Sequence, residues 1–202
     1  FLQDGDVFLD VGANVGFYTL LASVLVGESG SVHAFEPTPR TFAVLTANSA
    51  NKKNVICVNA ALIEREGKRS LVDYGVEKSG TNAILPDSAL PERDHDDIRR
   101  MTLSVETTTL DSYCLNHDVR PTFVKIDTEG AEEMVVRGGS RTLVRFHPVL
   151  IVEVQHKTMH TVVALLVAFG YHAYHFIGNT PAPYAAGDVL CCPNMLFTHD
   201  SE

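Results

Sequence analysis

Along the chain, short continuous apolar runs alternate with stretches in which apolar residues recur at helical spacing among polar ones. Val7–Val11 is a short apolar run with one acidic residue, and it predicts a strand buried on both faces of a parallel sheet. A turn with glycines at positions 12 and 16 follows, and the apolar residues then recur at helical spacing. The stripe that we expect to face the sheet comprises Phe17, Leu20, Leu21, Val24 and Leu25. In α/β folds, a strand, a glycine turn and a helix in this order present backbone N–H groups to a ligand.

The same alternation continues along most of the chain. Further strands are predicted at residues 31–36, 55–59, 123–127, 149–154, 172–176 and 195–198, and less regular ones at 71–74 and 103–107. Helices are predicted at residues 38–51, 110–115, 132–137 and 160–169. The proline-rich stretch 180–184 is expected to join the last two strands. Because crossovers between parallel strands are right-handed, the early strands form one parallel sheet, whereas the helix-free final pair favours an antiparallel arrangement.

This pattern predicts an α/β fold with about seven strands. We expect residues 1–202 to form a single domain, because a chain of this length can bury a large core. Residues 75–100 interrupt the regular pattern, since they are polar and are broken by glycine and proline. An irregular excursion of that length within a compact domain is usually functional or disordered.

Charge and composition narrow the class of partner. The net charge is −9 and the basic residues are scattered, which argues against a nucleic-acid surface. No apolar run approaches the roughly 20 residues that a membrane helix needs. No basic start followed by an apolar segment indicates a signal peptide. The first residue is Phe1 rather than Met, which is consistent with an excised domain or a trimmed chain.

The cysteines indicate a reducing compartment. Cys57, Cys114, Cys191 and Cys192 show neither the C-x-x-C spacing of metal sites nor the density of a secreted scaffold. The adjacent pair Cys191-Cys192 is expected to be structural rather than redox-active. We therefore expect a cytoplasmic protein.

The ligand of the opening turn can be inferred from its carboxylate. A dinucleotide site has the pattern G-x-G-x-x-G, whereas this chain has Asp10-x-Gly12-x-Asn14-x-Gly16. Asp10 would repel a pyrophosphate, which favours a ligand with hydroxyl donors or positive charge. S-adenosylmethionine fits, because it carries an ammonium group, a sulfonium and ribose hydroxyls but no phosphate. Glu36, at the end of the second strand, is placed to accept both ribose hydroxyls, as in nucleoside-binding β-α-β units.

Five short motifs occur along the chain in a recognisable order. They are Asp10-Val-Gly-Ala-Asn-Val-Gly16, Phe35-Glu36-Pro37, Asn59-Ala60-Ala61-Leu62, Thr108-Thr-Leu-Asp111 and Lys125-Ile-Asp-Thr-Glu-Gly-Ala-Glu132. Together they resemble the FkbM family of S-adenosylmethionine-dependent methyltransferases over residues 7–153. The stretch Ser79-Gly80-Thr81-Asn82 lies where that family has a small polar motif. Asn14 replaces the middle glycine of the general methyltransferase motif, and asparagine is at home there in this family.

The resemblance implies a fold and an activity. The implied fold is the class I methyltransferase, or Rossmann-like, fold. It has a seven-stranded, mostly parallel sheet with an antiparallel last strand and helices on both faces. The implied activity is O-methylation of a hydroxyl on a sugar, a glycolipid or a polyketide-type natural product. The implied cofactor is S-adenosyl-L-methionine.

The turn and the strand ends supply the expected cofactor site. Its residues are Asp10, Gly12, Asn14, Gly16, Tyr18, Thr19, Glu36, Asn59, Ala60 and Asp127. Gly12 and Gly16 are expected to let the backbone approach the ligand. Asn59 lies where this fold places adenine, but it could instead be a turn residue. Tyr18 could contact the carboxylate end of the cofactor, or it could equally be a packing residue.

Asp127, Glu129 and His156 are the expected catalytic residues. Asp127 and Glu129 follow the strand at 123–127, beside the methyl group in this fold, although Glu129 could instead cap the helix that begins near Ala131. His156 lies in a loop at the carboxyl edge of the sheet, and either His156 or Asp127 is the expected general base. The expected acceptor is a small-molecule or glycan hydroxyl aligned for direct displacement, with residues 75–100 helping to form a lid.

Other interpretations of the chain stay open at this point. Glu153, His156 and His160 have E-x-x-H-x-x-x-H spacing, which on a helix could ligate a metal. Ordinary polar residues at a strand–helix junction are favoured, and no metal is expected. An NAD-linked oxidoreductase is disfavoured by Asp10 and by the lack of G-x-G-x-x-G. A methyltransferase-like domain that binds cofactor without catalysis is the third alternative.

Overall fold

The computed structural model describes residues 2–74, 82–84, 101–155 and 157–200. Within these ranges the strands are β1 (Val7–Val11), β2 (Ser31–Phe35), β3 (Val55–Val58), β4 (Ala61–Leu62), β5 (Gly67–Asp73), β6 (Ala83–Ile84), β7 (Met101–Thr108), β8 (Phe123–Ile126), β9 (Val149–Glu153), β10 (His172–Ile177), β11 (Thr180–Pro183) and β12 (Asn194–Thr198). The helices are α1 (Phe17–Leu25), α2 (Pro39–Ser49), α3 (Leu110–Asn116), α4 (Glu132–Gly138), α5 (Ser140–Phe146) and α6 (Met159–Ala168).

The main sheet has eight strands in the order β11-β10-β12-β9-β8-β1-β2-β3. The five strands from β9 to β3 in this order are parallel, and β12, β10 and β11 extend the sheet antiparallel to their neighbours. The predicted α/β class, the parallel centre and the antiparallel final pair are therefore confirmed. The carboxyl ends of β1, β2, β8 and β9 lie at one edge, and this edge carries the site described below.

The predicted strand count of seven is wrong, because the main sheet has an eighth strand, β11, in the stretch predicted to be a connection. Residues 180–184 contain β11, which pairs antiparallel with β10 in a hairpin. Pro181 and Pro183 lack the N–H groups that a central strand needs, so the sequence argued against a strand here. They are tolerated because β11 lies at the edge of the sheet and needs partners on one side alone.

A second sheet contains the irregular strands that the sequence indicated. Its order is β4-β7-β5-β6. The strand predicted at 71–74 is the end of the longer β5, and the one predicted at 103–107 lies within β7. Of the predicted excursion at 75–100, residues 75–81 and 85–100 lie outside the described residues.

The helix α1 turns a different face to the sheet from the one predicted. Four residues of the predicted stripe are 46–70% exposed, and they are Phe17, Leu21, Val24 and Leu25. The buried residues of α1 are Thr19, Ala22 and Ser23. Small side chains bring the helix close to the sheet, where Ala22 packs with Phe8 and Val32. Helical periodicity shows that a helix has an apolar face, but it does not show which face meets the sheet.

The other side of the sheet carries the larger core. This cluster joins β-strand residues such as Leu9, Val124 and Leu150 to Val135 of α4 and Val162 of α6. No helix in the described part of the chain combines the length and the apolar character needed to cross a lipid bilayer.

The helix α5 follows α4 almost directly and was not predicted. The break at Gly138-Gly139 is present, but the chain re-enters a helix at Ser140. The carboxylate of Asp111 accepts hydrogen bonds from the N–H groups of Arg141 and Thr142, at 3.1 and 2.8 Å. A cap from a residue thirty positions away leaves no local sequence signal, which explains the omission.

Candidate functional site

A cavity of about 130 Å³ opens at the carboxyl edge of the parallel strands. This is the edge at which open α/β sheets bind their ligands. The predicted site residues that line it are Gly12, Asn14, Glu36, Ala60, Asp127 and Glu129. Leu62, Leu71 and Ile84 of the second sheet add an apolar side.

Gly12 is the point of closest approach between two strand ends. Its φ is +82°, and a Cβ atom placed on it would lie 1.8 Å from the carbonyl oxygen of Asp127. An L-amino acid with a side chain fits neither the torsion nor the space. The glycine therefore lets the turn after β1 lie directly against the loop after β8.

The N–H groups of this turn are largely bound within the protein. Those of Gly12 and Ala13 donate to the carbonyl oxygen of Phe35, at 3.1 and 2.9 Å. That of Asn14 donates to Glu36 Oε2 at 3.1 Å. Phosphate oxygens bind to turns whose N–H groups are free. The expectation that this turn offers its N–H groups to a ligand does not hold for these three residues, and the turn suits a ligand without phosphate.

Glu36 presents a buried carboxylate at the end of β2. Besides the bond from Asn14, its Oε1 accepts the N–H of Thr38 at 2.8 Å. A carboxylate can accept about four hydrogen bonds, so capacity remains for the hydroxyl groups of a ligand. Burial raises the pKa of Glu36, and the hydrogen bonds from Thr38 and Asn14 oppose that rise. The role of Glu36 as the ligand of ribose hydroxyls stays a prediction.

Replacing Glu36 with Gln is expected to weaken binding of S-adenosylhomocysteine by roughly 10- to 100-fold, because charge-assisted hydrogen bonds contribute about 1.5–3 kcal/mol. Isothermal titration calorimetry measures the change. Glu28→Gln, at an exposed position far from the cavity wall, is the matched control and should bind as the unaltered chain does. Equal affinities for both variants would remove Glu36 from the binding site.

Asp10 and Thr19 lie behind the cavity wall, between β1 and α1. Thr19 Oγ1 donates to Asp10 Oδ2 at 2.6 Å, and Lys125 Nζ lies 3.9 Å from Asp10 Oδ1. Burial raises the pKa of Asp10, and the positive charge of Lys125 opposes this rise. These contacts join β1 to α1 and to the neighbouring strand β8. Gly16 packs closely against α2, because a Cβ atom placed on it would lie 2.8 Å from Leu45 Cδ1.

Lys125 is a residue of the site that sequence reasoning missed. It is 6% exposed, and its Nζ lies 2.9 Å from Asp127 Oδ2. The same ammonium group lies 4.7 Å from the ring centroid of Tyr18, which favours the packing interpretation of that residue. The available signal was the spacing Lys-x-Asp on β8, which places Lys125 on the face that Asp10 occupies on the neighbouring strand.

Asp127, Glu129 and Glu153 bring three carboxylates to one part of the cavity. Burial raises the pKa of Glu129, and the charges of Asp127 and Glu153 raise it further. Burial and then Asp127 likewise raise the pKa of Glu153. Gln155 Nε2 donates to Glu129 Oε2 at 3.3 Å. A carboxylate whose pKa is raised is a stronger base than an ordinary one, as proton transfer requires.

Glu129 does not cap α4, so that alternative is wrong. The N-cap position is Ala131, whose side chain makes no capping bond, and Glu129 lies in the left-handed region with φ +53°. A residue other than glycine in that region marks a constrained backbone, and such positions cluster at functional sites.

Asn59 and Ala60 have different positions at the end of β3. Asn59 Nδ2 donates to the carbonyl oxygens of Glu36 and Pro37, at 2.7 and 3.1 Å. This supports the interpretation of Asn59 as a turn residue that shapes the strand ends. Ala60 lines the cavity directly.

Asn82 connects the second sheet to the cavity. Its Nδ2 donates to Thr38 Oγ1 at 3.2 Å, and its Oδ1 accepts the N–H of Tyr74 at 2.9 Å. Asn82 and Thr38 both line the cavity. The small polar motif at 79–82 therefore ends in a residue that holds the two sheets together at the site.

The histidine motif offers no metal site in the described residues. His160 lies in the first turn of α6, and Glu153 lines the cavity. His156 lies outside the described residues, and its role as a base stays a prediction. No group of three or more His, Cys, Asp or Glu side chains in the described ranges is arranged to hold a metal ion.

Comparison with known proteins identifies the family. The model of the methyltransferase FkbM domain matches residues 10–173. The chain belongs to the FkbM methyltransferase family. The resemblance that the five motifs carry is thereby confirmed, and the FkbM match covers the second sheet and the whole cavity wall described above.

Three relatives define the extent of the similarity. The hexuronic acid methyltransferase AglP of Haloferax volcanii is 28% identical over 143 residues, 70% of this chain and 53% of that protein. The 31-O-demethyl-FK506 methyltransferase FkbM of Streptomyces tacrolimicus is 34% identical over 88 residues, 44% of this chain and 34% of that protein. The crystal structure of methyltransferase FkbM from Methylobacillus flagellatus superposes with a TM-score of 0.63 at 15% identity, covering 98% of this chain and 44% of that one. This chain thus spans about half of the first relative and less of the others.

Proposed function

We propose that this chain is an S-adenosylmethionine-dependent O-methyltransferase that acts on a hydroxyl of a sugar, a glycolipid or a polyketide-type natural product. One observation carries the choice of cofactor. The cavity combines Glu36, a carboxylate suited to ribose hydroxyls, with a turn whose N–H groups are bound within the protein. That combination favours a nucleoside ligand without phosphate.

The charge of the cavity supports the same ligand. Its described lining includes the carboxylates of Glu36, Asp127, Glu129 and Glu153, and no Lys or Arg side chain. The ammonium of Lys125 lies behind this wall and is paired with Asp127. A cavity of this charge attracts a cationic sulfonium and ammonium and repels the pyrophosphate of NAD.

The residues at this end of the cavity have separate tasks in the proposed reaction. Bound S-adenosylmethionine supplies an electrophilic methyl group on a positively charged sulfur. Lys125 holds the carboxylate of Asp127 in one orientation beside the reacting centre. Glu129, with its raised pKa, takes the proton from the acceptor hydroxyl as the new carbon–oxygen bond forms. The apolar side of the cavity excludes water, which strengthens these interactions.

The names of the relatives guide the choice of acceptor. One acts on a hexuronic acid and another on a demethylated form of FK506, and both names describe methyl acceptors rich in oxygen. We therefore propose a small-molecule or glycan acceptor and no nucleic acid, in agreement with the net charge of −9. We also propose a cytoplasmic location, which the four free cysteines support.

Binding and transfer can be tested separately. Calorimetry should detect S-adenosylhomocysteine at micromolar concentration, and NAD should not compete with it. Transfer of a labelled methyl group from S-adenosylmethionine is then measured on glucuronic acid, galacturonic acid and their methyl glycosides. Binding of NAD in place of S-adenosylhomocysteine would overturn the proposal. Cofactor binding without transfer to any hydroxylated acceptor in a wider panel would favour the non-catalytic alternative.

A further inference from the structure

The loop between β8 and α4 has an unusual backbone where it lines the cavity. Glu129 and Gly130 have φ values of +53° and +104°, two left-handed residues in succession. Glu129 is not a glycine, so this conformation is disfavoured unless other contacts enforce it. The bond from Gln155 to its carboxylate is long, at 3.3 Å, and holds the side chain rather than the backbone. Another group must hold the loop.

Glu132 is the group that contacts the loop on both sides of Glu129. Its Oε1 accepts hydrogen bonds from the N–H of Thr128 at 3.3 Å, from Thr128 Oγ1 at 3.1 Å and from the N–H of Gly130 at 2.9 Å. The side chain is almost fully buried, with 1% of its surface exposed. Its second oxygen, Oε2, is buried and has no hydrogen-bond partner in the described part of the chain.

These bonds differ from an ordinary helix cap. Glu132 is the first residue of α4, and a capping carboxylate would accept N–H groups from the first turn of that helix. The N–H groups that Glu132 accepts belong to residues before the helix. Its neighbour Glu133 has an ordinary surface role, since it pairs with Arg137 one helical turn away. A buried carboxylate with an unpartnered oxygen is costly, and stability of the helix alone does not account for it.

We propose that Glu132 is a positioning residue that holds Glu129 against the cavity so that Glu129 can act on the acceptor. The inference rests on the proposed function and deepens it. It states that Glu132, which lies outside the cavity wall, fixes the position of the proposed base Glu129. The charged and polar groups that face Glu129 are Asp127, Glu153, Gln155 and Glu132 itself. Glu132 therefore acts on Glu129 through backbone geometry and through its negative charge.

Two variants separate these two effects. Glu132→Ala removes both the hydrogen bonds and the charge, whereas Glu132→Gln keeps an acceptor oxygen and removes the charge. Nuclear magnetic resonance measures amide exchange at Gly130 and the titration of the Glu129 carboxyl in each variant. Glu132→Ala should accelerate exchange at Gly130 by about tenfold, the effect of losing one net hydrogen bond. Glu132→Gln should lower the pKa of Glu129, because a neighbouring negative charge has been removed.

Glu133→Ala is the matched control, because it removes a carboxylate from the next position of the same helix. It should change neither readout. Unchanged exchange at Gly130 in Glu132→Ala, or an equal effect of Glu133→Ala, would overturn the inference. If Glu132→Ala does not fold, Glu132→Asp takes its place, because its shorter side chain should lose the bond from the N–H of Gly130. Unchanged exchange at Gly130 in that variant would overturn the inference. Failure of the unaltered chain to bind S-adenosylhomocysteine contradicts the proposed function instead, since neither loop measurement depends on cofactor.

Discussion

Replacing Gly12 with Ala is expected to disrupt the turn after β1 and to abolish binding of S-adenosylhomocysteine. The new Cβ would lie 1.8 Å from the carbonyl oxygen of Asp127, and the φ of +82° would strain any residue other than glycine. The carbonyl cannot move aside freely, because the N–H of Asp127 bonds to Val11 and β1 pairs with β8 along its length. We expect the free energy of unfolding to fall by about 4 kcal/mol, from the sum of backbone strain and overpacking.

The matched control for Gly12→Ala is Gly178→Ala. Gly178 lies in the turn between β10 and β11 with φ +62°, and a Cβ there meets no heavy atom within 4 Å. This variant carries the torsional strain without the clash, so it should lose about 1 kcal/mol. Unfolding in urea measures both losses, and calorimetry measures cofactor binding. If both variants lose the same free energy, close approach to Asp127 is not the reason for glycine at position 12.

The sequence predicted the parts of the fold in which local pattern and burial coincide. The strands β1, β2 and β8 are buried on both faces along nearly all of their length, so their apolar runs stand out against polar flanking residues. The edge strand β11 lacks such a run and contains two prolines, so its pairing depends on β10. The face that α1 buries depends on how closely Ala22 can approach the sheet. This is a property of tertiary packing, and the periodicity of the helix does not predict it.

The sequence predicted those residues of the candidate site that lie at the ends of buried strands. Glu36 and Asp127 follow buried strands, and parallel strands bring their carboxyl ends to one edge. Contacts between residues of different strands could not be predicted from the sequence in this way. The sequence did not show that Phe35 binds the N–H groups of the turn, or that Lys125 lies between Asp10 and Asp127. These contacts depend on strand register, which the linear order of residues does not specify.

The structure describes two of the three residues that are candidates for the general base, Asp127 and Glu129. The sequence favoured His156 or Asp127, but the structure pairs the Asp127 carboxylate with Lys125 at 2.9 Å, so an ammonium group already occupies one of its oxygens. Glu129 lines the same part of the cavity without a cationic partner in the described residues, and burial raises its pKa. A base that must accept a proton during transfer is better provided by a carboxylate with a raised pKa and no cationic partner. We therefore propose Glu129 as the general base.

Replacing Glu129 with Gln is expected to lower kcat by roughly 10²- to 10⁴-fold, the usual contribution of a general base. Affinity for S-adenosylhomocysteine should stay nearly unchanged, because Glu36 and the turn carry that binding. In the unaltered enzyme the rate should rise with pH as Glu129 ionises, over a range above the ordinary pKa of a glutamate, since burial and Asp127 raise its pKa. Glu129→Gln should lose this rise. Asp127→Asn and His156→Asn are the comparison variants. If one of them loses the increase of rate with pH and Glu129→Gln keeps it, the residue replaced in that variant is the base instead of Glu129.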